Sequence, residues 1–232
     1  MQRRQFNHSI VFGTLLLGTY RQAWALSLAD LTDQDASRGV KAALEKGALA
    51  AVLLLGRPDG FLGNPQVRIP LPGYLNDAAR LLKTMGQGKR VDELVTRMNR
   101  AAESVVPLGQ QQLVGAVRNM SVGDAKSILT GDNDSVTRFF ASKTREPLGE
   151  TFLPLVTQAT EKVGLAASYN RLAGRAAGLG LLKQDEANIE RYITGKTLDG
   201  LYTIIGEEER KIRRDPVSAG SALVKKVFGA LK

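Results

Sequence analysis

Apolar side chains recur every three or four residues through most of the chain, a spacing that predicts helix almost throughout. Leu28 to Leu55 carries Val40, Leu44, Ala48, Val52 and Leu55 on one side, with Thr32, Asp33 and Asp35 as candidate caps. Gly56-Arg57-Pro58-Asp59-Gly60 stops that run. Helix resumes from Asn76 to Met85, and Gly86-Gln87-Gly88 breaks it. Val91 to Val106 is the clearest amphipathic segment. Val91, Leu94, Val95, Met98, Ala101, Ala102 and Val105 form its stripe, and Asp92, Arg97, Asn99, Arg100 and Glu103 lie away from it. Pro107 is expected to end it, and another helix runs from Gln110 to Asn119.

The second half continues the pattern. Ser121-Val122-Gly123-Asp124 resembles a capping box opening a short helix through Ile128 and Leu129. Asp132, Asp134 or Ser135 caps a helix carrying Val136, Phe139 and Phe140, and Pro147 starts or punctuates the segment that runs to Val163. Leu165 to Leu182 follows, and Ala187 to Ile193 leads into a helix from Lys196 to Arg214. There Leu198, Leu201, Tyr202, Ile205 and Ile212 face inward, and Glu207–Lys211 and Glu209–Arg213 stand in the favourable Glu-first order. Asp215-Pro216 ends that helix and opens the last one, with Val217, Val224, Val227, Phe228 and Leu231 on one side.

Residues 56–74 break the helical pattern. Four of the chain's eight prolines fall there: Pro58, Pro65, Pro70 and Pro72. Proline fixes φ and removes a donor, so an extended strap is expected, either wrapping the core or forming the rim of a pocket. The first helix alone would lack a core, and connections elsewhere are short. The expectation is therefore one all-α domain, a bundle of about eight to ten helices with a proline-rich strap at 56–74.

Composition changes the picture mainly at the N-terminus. Arg3-Arg4-Gln5-Phe6, an apolar run from Ser9 to Tyr20 and Ala23-Trp24-Ala25 make the three parts of an export signal. The arginine pair is twin-arginine-like. Residues 1–25 are thus expected to be cleaved near Ala25, leaving one domain at 26–232 in the periplasm. The chain of 232 residues carries +9; removing Arg3, Arg4 and Arg21 with no acid leaves +6. The only His, His8, and the only Trp, Trp24, leave as well, and the chain has no Cys. Metal sites built on imidazole or thiolate, disulfides and His-dependent triads are then excluded, and no metal or cofactor is expected. No apolar run reaches the roughly 20 residues that span a bilayer.

Motifs for small-molecule chemistry fail on their spacing. Gly86-Gln87-Gly88-Lys89 has Lys83 where a P-loop needs Gly, and Arg90 where it needs Ser or Thr. Asp132-Asn133-Asp134 begins like a calcium loop, but Thr137 and Lys143 fill the positions that need Gly and Glu. Carboxylate chemistry remains, with Glu103, Asp199 and Glu208 as the best acids. Nearby Lys and Arg favour ionised carboxylates, the opposite of what a general acid needs. Arg210, Lys211, Arg213, Arg214, Lys225, Lys226 and Lys232 gather toward the C-terminus, a basic region suited to anionic lipid or acidic polymers. Nucleic acid is not expected, because so few aromatic residues remain to stack bases.

Several stretches together resemble one bacterial family. They are Pro58-Asp59-Gly60-Phe61-Leu62, Val67-Arg68-Ile69-Pro70-Leu71-Pro72 and Met98-Asn99-Arg100-Ala101-Ala102-Glu103. Further along come Asp124-Ala125-Lys126 with Ile128-Leu129, and Lys196-Thr197-Leu198-Asp199-Gly200-Leu201. Glu208-Glu209-Arg210-Lys211-Ile212-Arg213 and Lys225-Lys226-Val227-Phe228-Gly229 complete the set. In this order they are similar to the family designated Domain of Unknown Function 4197. The resemblance covers nearly all of 26–232 and implies an exported, single-domain helical protein; it carries no catalytic residues over to this chain.

The function expected is a non-catalytic binding or interaction protein of the bacterial envelope. Its ligand would be apolar or amphipathic, a lipid for instance, or its partner an envelope protein. Met98, Phe139, Phe140 and Tyr202 are the candidates for lining a pocket. The alternative is a carboxylate-dependent hydrolase of cell-wall glycan using Glu103, Asp199 and Glu208.

Overall fold

A computed structural model describes residues 28–169 and 188–231. Residues 1–25, where an export signal is expected, most of the expected 165–182 helix and Lys232 lie outside those residues. Among the described residues the secondary structure is helical, without strands. The α-helices are α1 (Asp33–Leu55), α2 (Asn76–Thr84), α3 (Gly88–Leu108), α4 (Gln110–Asn119) and α5 (Ala125–Leu129). They continue with α6 (Ser135–Lys162), α7 (Ile189–Arg214) and α8 (Ala222–Gly229). No described helix is long and apolar enough to cross a membrane.

The hub is α1, which packs against α4, α5, α7 and α8. Thr32 starts it, its Oγ1 accepting the Asp35 N–H at 3.0 Å. Small residues let neighbours approach closely. A Cβ added at Gly39 would stand 2.5 Å from Cγ2 of Val227 on α8. Val40, Leu44, Ala48, Val52 and Leu55 are all buried, so the apolar spacing of the sequence faces the core as expected.

Prolines behave differently in α6 than the sequence suggests. Pro147 was expected to begin or punctuate a segment, yet α6 runs through both Pro147 and Pro154. Both prolines are exposed, seven residues apart on one face. Lys143 and Glu150, whose carbonyls lose an intrahelical donor there, are exposed, while Leu148, Phe152 and Val156 hold the opposite face in the core. Likewise α3 continues one residue past Pro107. The separate segments expected around 187–193 and 196–214 form the single helix α7, started by Asn188, whose Oδ1 accepts the Arg191 N–H at 2.8 Å.

The last helix starts later than expected. A short turn at Val217–Ala219 and a left-handed Gly220 (φ 77°) precede it, and Ser221 caps α8. Val217 therefore points outward at 66% exposure instead of joining the buried Val224, Val227 and Phe228.

Residues 56–72 contain neither helix nor strand. The first part is a run of turns rather than extended chain: Gly60 N–H bonds Arg57 C=O, Gly63 bonds Asp59, and Arg68 bonds Asn64. Only residues 68–72 are free of turns. Phe61, Val67 and Ile69 are buried, so the segment is anchored in the core. A Cβ at Gly200 of α7 would meet the Phe61 ring at 2.6 Å, which shows how tightly the segment lies on α7.

Candidate functional site

An irregular segment cannot satisfy its own backbone groups once buried, so side chains must do so. Asn99 and Glu103 on α3 serve 56–72 in that way. The Ile69 N–H donates to Asn99 Oδ1 at 2.8 Å, and Asn99 Nδ2 donates to Ile69 C=O at 2.9 Å and Val95 C=O at 2.8 Å. The N–H groups of Phe61 and Leu62 both donate to Glu103 Oε1, each at 3.0 Å. Glu103 Oε2 accepts from Arg100 at 2.7 Å, and Arg100 also bonds Asp59 Oδ1 at 2.8 Å. The Glu103 carboxylate, followed by Asp59, holds the Arg100 guanidinium above its ordinary pKa. Asp59 reaches Arg100 from a left-handed conformation, φ 63°, that Asp tolerates better than most residues. Asn99 and Glu103 had been placed off the apolar stripe and are nonetheless buried. A helical wheel cannot show that an irregular segment will cover that flank.

A second clamp lies at the start of α6. Asp134 occupies the cap position but makes no capping bond. Glu209 of α7 takes its place: Oε1 accepts the Val136 N–H at 3.1 Å, and Oε2 accepts the Thr137 N–H and hydroxyl, each at 2.7 Å. Arg213 donates to Glu209 Oε1 and Ser135 Oγ and to the Leu129 carbonyl, and its guanidinium stands 5.6 Å from the Phe228 ring centre. Arg213, counted in the sequence among the basic surface residues, is thus nearly buried. The expected Glu207–Lys211 bridge is replaced by Lys211–Glu208 at 2.6 Å, while Glu209–Arg213 forms as expected. The sequence signal for this cap was only the helical spacing of Glu209 and Arg213; its target is 72 residues away.

A groove with many charged residues runs along one side of α7. One part, about 360 Å³, lies between α6 and α7, where Arg138, Arg145 and Arg210 face Asp134 and Asp199. The adjoining part, about 570 Å³, shares Arg210 and adds Lys211, Arg214 and Glu207, with Asn133 and Gln66 of the 56–72 segment as walls. Together these linings hold five cations against three carboxylates. The charges are oriented. Arg145 pairs with Asp199 at 2.8 Å, Arg210 with Asp134 at 3.3 Å, and Arg138 with Asp134 at 3.2 Å and Asp132 at 2.6 Å. The Arg138 bond, foremost, lowers the Asp132 pKa.

The sequence candidates fall in different places. Met98 and Phe140 are core residues with no exposed surface, and Phe139 is half-buried under Lys143. Only Tyr202 of that set lines the groove. Its ring meets Phe140 edge-on at 5.8 Å, its hydroxyl pairs with the Thr144 hydroxyl at 2.9 Å, and burial raises its pKa. Among the acids, Glu103 sits in the α3 clamp, Asp199 lines the groove, and Glu208 pairs with Lys211. The groove linings include neither Glu103 nor Glu208. Sequence reasoning missed Arg138 and Arg145, whose isolated positions on α6 carried no motif.

Fold and site together define an all-helical, single-domain protein with an arginine-rich groove on one long helix. The stretches that carried the family resemblance meet in space: 58–62 and 67–72 lie on Asn99 and Glu103, and Glu209 and Arg213 join α6 and Phe228. The chain belongs to the family described as Protein of unknown function (DUF4197), which it matches over residues 30–229. No curated protein and no solved structure matches it.

Proposed function

We propose that this is a non-catalytic binding protein of the bacterial envelope, exported through residues 1–25, that holds a polar ligand in the α7 groove. The observation that carries the reading is the groove itself: adjoining concavities share Arg210 and are built on two long helices fixed by the buried Glu209 clamp. Concave sites with a few oriented polar groups are the usual form of small-ligand sites. Most of the lining residues are charged or carry amides or hydroxyls, which favours a polar ligand over the apolar one expected from the sequence. Lipid contact through α8 has support only from its exposed Lys225 and Lys226, and Lys226 is paired with Asp35 at 2.6 Å.

Native mass spectrometry of protein recovered from the periplasm tests this. A co-purifying ligand that is lost in Arg210→Ala supports the reading, and bare protein under gentle conditions counts against it. The mass of the recovered chain tests export, since a protein found only in the cytoplasm with residues 1–25 attached would end that part. The hydrolase alternative has less support, because both Glu103 oxygens are occupied by Phe61, Leu62 and Arg100. Peptidoglycan turnover that disappears in Asp199→Asn would reverse that ranking.

A further inference from the structure

The geometry points to an extended acidic glycan, a chain of sugars bearing carboxylates or phosphates, as the occupant of the α7 groove; this rests on the binding-protein reading above. Length is the first argument. The groove follows α7 from Asp199 to Arg214, about 22 Å at 1.5 Å per residue. Cations stand toward both ends, Arg145 beside Asp199 at one and Arg210, Lys211 and Arg214 within about one helical turn at the other. A single small anion would be met by convergent charges; distributed charges suit a polymer with repeated anionic groups.

The kind of cation is the second argument. Guanidinium forks take carboxylate or phosphate through two parallel bonds. Asp134 and Asp199 pair with Arg210 and Arg145, which biases these side chains toward the groove and lowers the freedom lost on binding. The N-terminus of α6 borders the groove, but Glu209 already accepts its Val136 and Thr137 N–H groups. Anions there must be met by side chains.

The neutral lining separates glycan from acidic peptide. The exposed amides of Gln66 and Asn133 offer donors and acceptors to sugar hydroxyls. Among the lining residues only Ala141 and Tyr202 have wholly or largely apolar side chains, so sockets for apolar peptide side chains are few. Stacking of a neutral sugar is also unsupported, since Tyr202 is 7% exposed and Arg145 covers its ring at 5.3 Å. Charged groups and amides are the specific contacts that the groove offers, set among the aliphatic stems of its long side chains.

Isothermal titration of the purified full chain with a size-defined oligogalacturonate and its neutral methyl ester tests the inference. The acid form is expected to bind at least about tenfold more tightly than the ester and to weaken as salt rises. A phosphorylated oligomannoside of similar length tells phosphate from carboxylate, and binding of either supports the proposal. Arg210→Ala and Lys211→Ala should each weaken binding several-fold with unchanged thermal melting, while Lys225→Ala on α8 leaves it unaltered. If acid and ester bind equally and both weaken in Arg210→Ala, the ligand class is wrong and the groove reading stands. If the acid glycan binds every variant equally, the groove reading itself falls. Tighter binding of a polyglutamate peptide, or no binding of either anionic glycan, overturns the proposal.

Discussion

Glu103 and Glu209 are both buried carboxylates that accept two backbone N–H groups, and they serve backbones of opposite kinds. Glu103 holds Phe61 and Leu62 in a segment that has no helix or strand of its own. Glu209 closes the first turn of a 28-residue helix. The oxygens are also used differently. Glu103 gives one oxygen to both N–H groups and the other to Arg100, whose side chain is 37% exposed. Glu209 needs both oxygens for buried donors, and its partner Arg213 is only 10% exposed. Similar chemistry should therefore give different sensitivity to the loss of charge.

Replacing each glutamate by glutamine breaks or sharpens that contrast. In Glu209→Gln an NH2 group must face buried donors, and Arg213 loses its carboxylate. The expected loss is about 3 kcal/mol in denaturant unfolding, in the range for breaking a buried ion pair. A loss as small as that of Glu103→Gln would show that the two clamps are equivalent. Asn99→Ala comes next. It leaves the Ile69 N–H and C=O without their side-chain partner, a cost of about 2 kcal/mol, and should speed hydrogen exchange at Ile69 more than in α6. Glu103→Gln should cost only about 1 kcal/mol, because the amide oxygen still accepts from Phe61 and Leu62 while Arg100 turns to Asp59 and water.

The contrast also explains what could be read from the sequence. The buried faces of α1 and α3 were legible because spacing alone decides them: Val91, Leu94, Met98, Ala101, Ala102 and Val105 are all in the core. The clamps were not legible as clamps. Asn99 and Glu103 become buried only because residues 61–69 lie across them, and nothing in α3 records that covering. The start of α6 misled in another way. Asp132, Asp134 and Ser135 all satisfy the local rule for a cap, yet Glu209 does the capping from across the fold. Pro147 looks like the start of a new segment unless its exposure is known. The groove combines α6, α7 and residue 66; Asp199, Tyr202 and the basic Arg210, Lys211 and Arg214 pointed to it from the sequence, while its α6 wall with Arg138 and Arg145 could not be read there.

An exposed pair marks the weak end of the comparison. Lys226 on α8 bonds Asp35 on α1 at 2.6 Å, and this bond is the main cause that lowers the Asp35 pKa. Because the folded value lies below the unfolded one, the pair stabilises above the ordinary Asp range, about 3.9. The contribution fades as pH falls through the lower folded value. Solvent reaches both side chains and salt screens them, so Asp35→Asn should shift stability least of these substitutions. Its signature is in the pH dependence: melting curves of the wild type and Asp35→Asn should differ at neutral pH and converge once Asp35 is protonated. A gap that persists unchanged into strong acid would mean that α8 is held without this pair, by Val227 against Gly39 and by Phe228 under Arg213.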